Sequence, residues 1–246
     1  MRSLLLALTL APLLAHADCR EWSWSVFPEP GELVPTNARF VVQGYGLAQD
    51  AVKTIASRHP RLVTSAGEEF PLKVVELHVG EFHLTQAVLS PKGALTPGVQ
   101  YTLRFDQPDG PERFWLSKDT SPTWFVGPDA DFVPPRWKAA PTPLPSAVKE
   151  YGCGPAIEAQ LAVQLDDASP VLVRARVTGP DQRPREYLLR LKDGKLIVGH
   201  SMCSGAFVLD PEGEWQLELT AVDLAGNTAA APGGALRFKG LTAAPK

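Results

Sequence analysis

Residues 195–207 read KLIVGHSMCSGAF, and the fold turns on whether this stretch is a plain strand or a strand leading into a nucleophile turn. Gly199-His200-Ser201-Met202 matches the first four positions of the strained Gly-x-Ser-x-Gly elbow, which presents a serine above a parallel sheet and runs straight into a helix. The fifth position fails, because Cys203 stands where that elbow needs glycine. A histidine downstream of the serine is also missing, since His200 is the last in the chain. Ala206-Phe207-Val208-Leu209 then continues in β-like fashion where a helix should begin. The stretch is therefore read as the second strand of a hairpin turning at Asp193-Gly194, a dipeptide that strongly favours two-residue reversals. A helix-flanked parallel sheet gives way to antiparallel strands.

The same reading extends along the chain. In AIEAQLAVQL (156–165) the apolar residues Ile157, Ala159, Leu161, Val163 and Leu165 fall on one face at the period of a strand. VLVRARVTG and GALRFKG follow the same style in the second half, as do ARFVVQGYG (38–46), RLVTS (61–65), FPLKVVELHV (70–79), EFHLTQAVLSP (81–91) and VQYTLRFD (99–106) in the first. Within KVVELHV, Val75, Leu77 and Val79 share one face and Glu76 and His78 the other. GLAQDAVKTIAS (46–57) suits a short helix or an irregular strand equally. With 24 prolines and 20 glycines punctuating β-rich runs, an all-β protein rich in turns is expected.

Residues 1–17, MRSLLLALTLAPLLAHA, have the basic start, apolar run and Ala-x-Ala end of a secretory signal peptide. The run is too short for a membrane anchor, and Asp18 before Cys19 argues against a lipoprotein. Charge is balanced, 24 basic against 27 acidic residues without a basic block, so nucleic acid and anionic lipid are not expected as partners.

FPEPGELVPTNARFVV, with its Pro-x-x-Gly-x-x-Val-Pro-x-Asn opening, and LSPKGALTPGVQYTLRF, with its Leu-x-Pro-Gly-x-x-Tyr entry, resemble bacterial immunoglobulin-like domains of secreted and surface-layer proteins. That resemblance covers roughly residues 26–106. EWQLELTAVDLAGNTA (214–229) is similar to the closing hairpin of such domains; there Gly226-Asn227 offers positive φ and Asp223 can accept backbone N–H groups. The resemblance implies two tandem Ig-like antiparallel β-sandwiches, at 18–130 and 131–246, after the signal peptide. The proline-dense stretch 119–145 is read as the connector, with Trp124 and Trp137 expected at the domain interface.

Export permits disulfides, and Cys153 with Cys203 is the favoured pair; closing a loop of about 50 residues corresponds to about 4 kcal/mol of chain entropy. Cys19 is then free, paired with another chain, or displaces one of the other two. Cys153-Gly154-Pro155 lacks the second cysteine of a redox motif.

His78 and His83 with Glu76 and Glu81 are candidate metal ligands across a turn, though a solvated sheet face explains Glu76 and His78 more simply. Copper-resistance proteins of the periplasm have a similar Pro-Gly opening, but their ligand histidine begins the mature chain, and His16 here leaves with the leader. The carboxylates in DQPDG (106–110) and DPEG (210–213) lack calcium-loop spacing and are read as turns. With no catalytic residue and no cofactor assigned, the expectation is an exported, non-enzymatic binding, adhesion or envelope accessory protein whose partner is a protein or glycan of the envelope. The alternative is a periplasmic chaperone acting by strand addition, for which ARFVV with Arg39 is the nearest docking edge.

Overall fold

The computed structural model describes residue 19 and residues 23–106, 121–152, 154–209, 213–239 and 241. The leader, Cys153 and most of the turns at 106–110 and 210–213 lie outside the described residues. The first half carries β1 (Ser23–Phe27), β2 (Leu33–Val34), β3 (Phe40–Tyr45), helix α1 (Ala48–Lys53), a 3-10 turn at Ile55–Arg58, β4 (Arg61–Thr64), β5 (Glu69–Val79), β6 (Leu84–Pro91), β7 (Gln100–Arg104) and β8 (Thr123–Val126). The second carries β9 (Arg136–Trp137), β10 (Thr142–Tyr151), β11 (Gly154–Ala162), β12 (Leu165–Asp166), β13 (Leu172–Thr178), β14 (Pro184–Arg190), β15 (Lys195–His200), β16 (Glu214–Val222), β17 (Thr228–Ala230) and β18 (Leu236–Lys239). The protein is all-β. Its described ladders are antiparallel apart from the short β2–β8 pair.

β5 decides how the first half closes. Its beginning, Glu69–Pro71, pairs with β4, while Leu72–Val79 pairs with β6. One strand thus belongs to two leaves, β1-β3-β6-β5 and β5-β4-β7-β8-β2. The sheet doubles over a common core as a β-sandwich does: Phe40, Val42, Ala87 and Leu89 from one leaf meet Leu62, Tyr101, Leu103, Trp124 and Val126 from the other. Each such fully buried large side chain stabilises by about 1.5–3 kcal/mol relative to exposure. Trp124 is fully buried here, its ring 4.6 Å from Phe40 and its Nε1 donating to the Pro28 and Glu29 carbonyls. It is not at the interface where the sequence placed it: a ring this large is better satisfied inside one core, with backbone acceptors at hand for its N–H.

In the second half, β10-β11-β15 faces β14-β13-β16, with β17 and β18 both on the far side of β16. The alternation of 156–165 is realised, with Ile157, Ala159, Leu161 and Val163 in the same core as Val173, Val177, Tyr187 and Leu217. Trp137 packs against this core and donates Nε1 to the Ala229 carbonyl of the same half. Asp193 and Gly194 have φ of 52° and 71°, both positive as a type I′ turn requires. The expected hairpin does not form around them. β14 pairs with β13 and β15 with β11, so beyond the single Lys192–Lys195 bridge the turn hands the chain from one sheet to the facing one. Turn chemistry fixed the reversal, and burial of Tyr187 and Leu196 in one core from opposite sides separated the strands.

The two halves meet face to face. The outer side of β1-β3-β6, through Phe27, Val41 and Val88, packs on the outer side of β13-β14-β16, through Leu172, Leu188 and Val222. Leu224, just past β16, is buried in the first core, and Arg39 donates its backbone N–H to the Leu224 carbonyl at 2.6 Å. The connector is fastened as well, since Asn37 and Asn227, one from each half, hydrogen-bond the Asp131 backbone.

Candidate functional site

The polar residues singled out in the sequence converge on this seam and on its disulfide-bonded end. Along β5 the alternation of KVVELHV holds, but its sense is inverted. A bulge between Val74 and Glu76 resets the strand, after which Glu76 and His78 face the second half. His78 is only 9% exposed, whereas Val75 (41%), Leu77 (46%) and Val79 (57%) face solvent. The solvated-face expectation for Glu76 and His78 is therefore corrected: the second half covers the polar side of the strand and supplies partners for it. Glu76 Oε2 accepts from His78 Nε2 at 2.9 Å and from Arg174 Nη2 at 2.6 Å. The His78 hydrogen bond, with the Arg174 charge beside it, holds the Glu76 carboxyl below its ordinary value of 4.5 despite burial. Arg174 Nε is buried and has no hydrogen-bond partner among the described residues.

Around this pair the seam is hydrogen-bonded in register. Gln86 imitates a strand residue, donating Nε2 to the Leu188 carbonyl at 2.8 Å and accepting the Leu188 N–H at 3.2 Å. The Tyr187 hydroxyl donates to Gln43 Oε1 at 3.3 Å, and burial raises its phenol above the ordinary range. At the rim, Arg190 lies 5.3 Å over the Phe27 ring and bonds the Glu29 carboxylate and the Val26 carbonyl.

The other two candidate ligands lie nearby but do not join Glu76 and His78. Glu81 binds Arg185 Nε at 2.6 Å and accepts the Val208 N–H at 2.9 Å. His83 takes a left-handed φ of 55° in the turn before β6 and sets its ring 4.7 Å from Phe82. Among the described residues, no three histidine, cysteine or acidic side chains are grouped to hold a metal.

At the seam's end the chain of the first half adds itself to the second. Phe82 and Gly205 exchange backbone hydrogen bonds at 3.1 and 2.7 Å, and Glu81 donates its N–H to the Ala206 carbonyl. Beside them Cys203 is bonded to Cys19, with Cα atoms 5.3 Å apart, and the Cys19 carbonyl accepts the Tyr45 hydroxyl. The Cys153–Cys203 pairing favoured from the sequence is corrected to the alternative in which Cys19 takes one of the other two. The reason is topological: the Phe82–Gly205 contact brings the end of the first half to the 201–204 turn, and chain separation says nothing of such a meeting.

Ser201 is the serine of the elbow-like stretch. Its Oγ donates to the Ser204 carbonyl at 2.9 Å and accepts the Cys203 and Ser204 N–H groups, closing its own turn. His200 bonds the Ser201 backbone carbonyl through Nδ1, and Phe82 stacks edge-on to its ring. No general base meets the hydroxyl among these bonds. Gly199 has its own explanation, since a Cβ there would overlap the Ile157 carbonyl oxygen of the paired strand at a φ of 139°. The segment ARFVV is no docking edge either, because β3 runs between β1 and β6.

No protein-family model matches the chain, and no curated protein does. Among solved structures it is similar to a pullulanase complexed with maltotriose from Anoxybacillus sp. LM18-11, at 7% identity and a TM-score of 0.26 over 84% of this chain and 25% of that one. It is similar also to the tandem Ig repeats of Dlar, at 12% identity and a TM-score of 0.23 over 85% of this chain and 93% of that one. The chain spans about a quarter of the pullulanase's length. No described helix is long and apolar enough to cross a membrane.

Proposed function

We propose that the chain is an exported, non-enzymatic binding or envelope accessory protein, built of two Ig-like β-sandwiches clamped into one rigid unit. The observation that carries this reading is the state of its ionisable and nucleophilic side chains. Glu76, His78 and Glu81 are engaged with Arg174 and Arg185 across the seam, and Ser201 is engaged in its own turn. Groups held this way fix geometry, and none of these four is left as a base, nucleophile or metal ligand poised for a substrate. Recognition then falls to the loops and sheet edges that the rigid unit presents, the partner being a protein or glycan of the envelope. The leader-like residues 1–17 and the disulfide two residues beyond them suit an oxidising compartment.

The test has two arms on one preparation. Expressed with its leader, the protein is expected in the exported fraction with Cys19 and Cys203 oxidised, binding envelope material saturably and turning over no ester, glycoside or peptide substrate. Retention inside the cell with both thiols reduced overturns the export reading. Turnover that disappears in Ser201→Ala overturns the non-enzymatic one.

A further inference from the structure

We infer that the outer edge of β5 is a self-pairing site, through which two copies of this chain join antiparallel about Leu77; this does not rest on the function proposed above. From Leu72 to Val79 the strand pairs with β6, and β4 takes only Glu69–Pro71, so among the described residues the opposite edge of Val75–Val79 carries no ladder. The phase of that edge is fixed. Gly80 donates to the Leu84 carbonyl at 2.9 Å, continuing the register in which Val79 faces Thr85. The backbone groups of 76, 78 and 80 therefore point to β6, and those of Leu77 and Val79 point away from it.

Natural edges are usually guarded by charge, proline or strong twist. Here Pro71, Lys73 and the bulge after Val74 guard the start of the strand, and beyond the bulge the remaining acid, Glu76, is turned onto Arg174 and away from the open edge. The remaining stretch is Val75-Glu76-Leu77-His78-Val79, with its apolar side chains exposed. Read in either direction it runs apolar, polar, apolar, polar, apolar, with carboxylate and imidazole exchanged.

That exchange names the occupant. In an antiparallel pair centred on Leu77, Leu77 meets its own copy and Val75 meets Val79 on one face. On the other, Glu76 stands opposite His78 of the second copy, and His78 opposite its Glu76. Every apolar side chain gains an apolar neighbour and each carboxylate faces an imidazole, so the strand complements itself in shape and polarity. The contact is isologous and closes as a dimer with one continuous sheet across the axis.

Sedimentation of the purified protein from low to high micromolar concentration is expected to show a reversible monomer–dimer equilibrium. Leu77→Lys places two like charges opposite each other at the axis and should weaken it by about tenfold or more. Val79→Lys should act alike, and because both residues are exposed the thermal midpoint of the monomer should not move. Leu77→Cys should cross-link to a symmetric dimer under mild oxidation, since facing residues at a hydrogen-bonded site have Cα atoms about 5.5 Å apart, within the span of a disulfide. A protein that stays monomeric throughout, a dimer indifferent to both lysine substitutions, or a dimer in which Leu77→Cys fails to cross-link would overturn the proposal. So would a monomer whose β5 edge instead captures an extended apolar peptide.

Discussion

Asn37 and Asn227 both donate a side-chain amide to one acceptor, the backbone carbonyl of Asp131, at 2.7 and 3.2 Å. Asn37 also accepts the Asp131 N–H at 2.9 Å, so the connector is held from each half at a single residue. Replacing either asparagine with alanine should cost about 1 kcal/mol, and replacing both should cost more than the two combined, because only then does the carbonyl lose every side-chain donor. A double-mutant cycle by urea unfolding checks this, and strict additivity would show that the two amides act independently.

The Glu76 carboxyl sits below its ordinary value in the folded protein, so it stabilises the native state fully above about pH 4.5 and progressively less as pH falls through the depressed value. Asp223 runs the other way: burial, foremost, raises its carboxyl, and ionising it opposes folding as pH rises. Stability followed toward acid should therefore fall more steeply in the parent protein than in Glu76→Gln. Arg174→Met leaves the half-buried Glu76 without its cation and should cost about 1–3 kcal/mol at neutral pH. Coincident acid profiles for parent and Glu76→Gln would exclude the seam carboxylate as their cause.

The Cys19–Cys203 bond closes a loop whose ends are 184 residues apart, for which chain entropy alone corresponds to about 5 kcal/mol. Cys19→Ser or reduction should lower the denaturant midpoint by an amount equivalent to about 2–5 kcal/mol. Cys153→Ser should leave it unchanged. Non-reducing peptide mapping gives an independent check on the same pairing.

Gly199 tests the reading of the stretch that resembles a nucleophile elbow. Gly199→Ala forces a Cβ onto the Ile157 carbonyl at a φ that side chains avoid, and should cost about 1–3 kcal/mol or more. A variant of parental stability would mean that the glycine answers to something other than strand packing.

Strand periodicity and turn chemistry were open to inspection in the sequence. The core face of β11 and the positive φ of Asp193 and Gly194 followed from local rules. Asp223 accepts the Asn227 N–H as its motif suggested, although Asn227 contributes its side-chain amide rather than a positive φ. What the sequence hid was every decision made across the seam. A strand shows which residues share a face, but not whether water or another sheet lies against it, and so Glu76 and His78 looked solvated. Arg174, Arg185 and Gln86 carried no local signal, because their partners lie in the other half of the chain. The cysteine pairing was hidden for the same reason.

A bond between Cys19 and Cys203 also dictates a timetable. In a polypeptide threaded outward from its N-terminus, the thiol of residue 19 encounters that of residue 153 before residue 203 has arrived. A linkage made in order of appearance would be the wrong one, and maturation would then wait on exchange between sulfurs. Yield in a heterologous host should accordingly track disulfide-isomerase capacity more closely than oxidant supply.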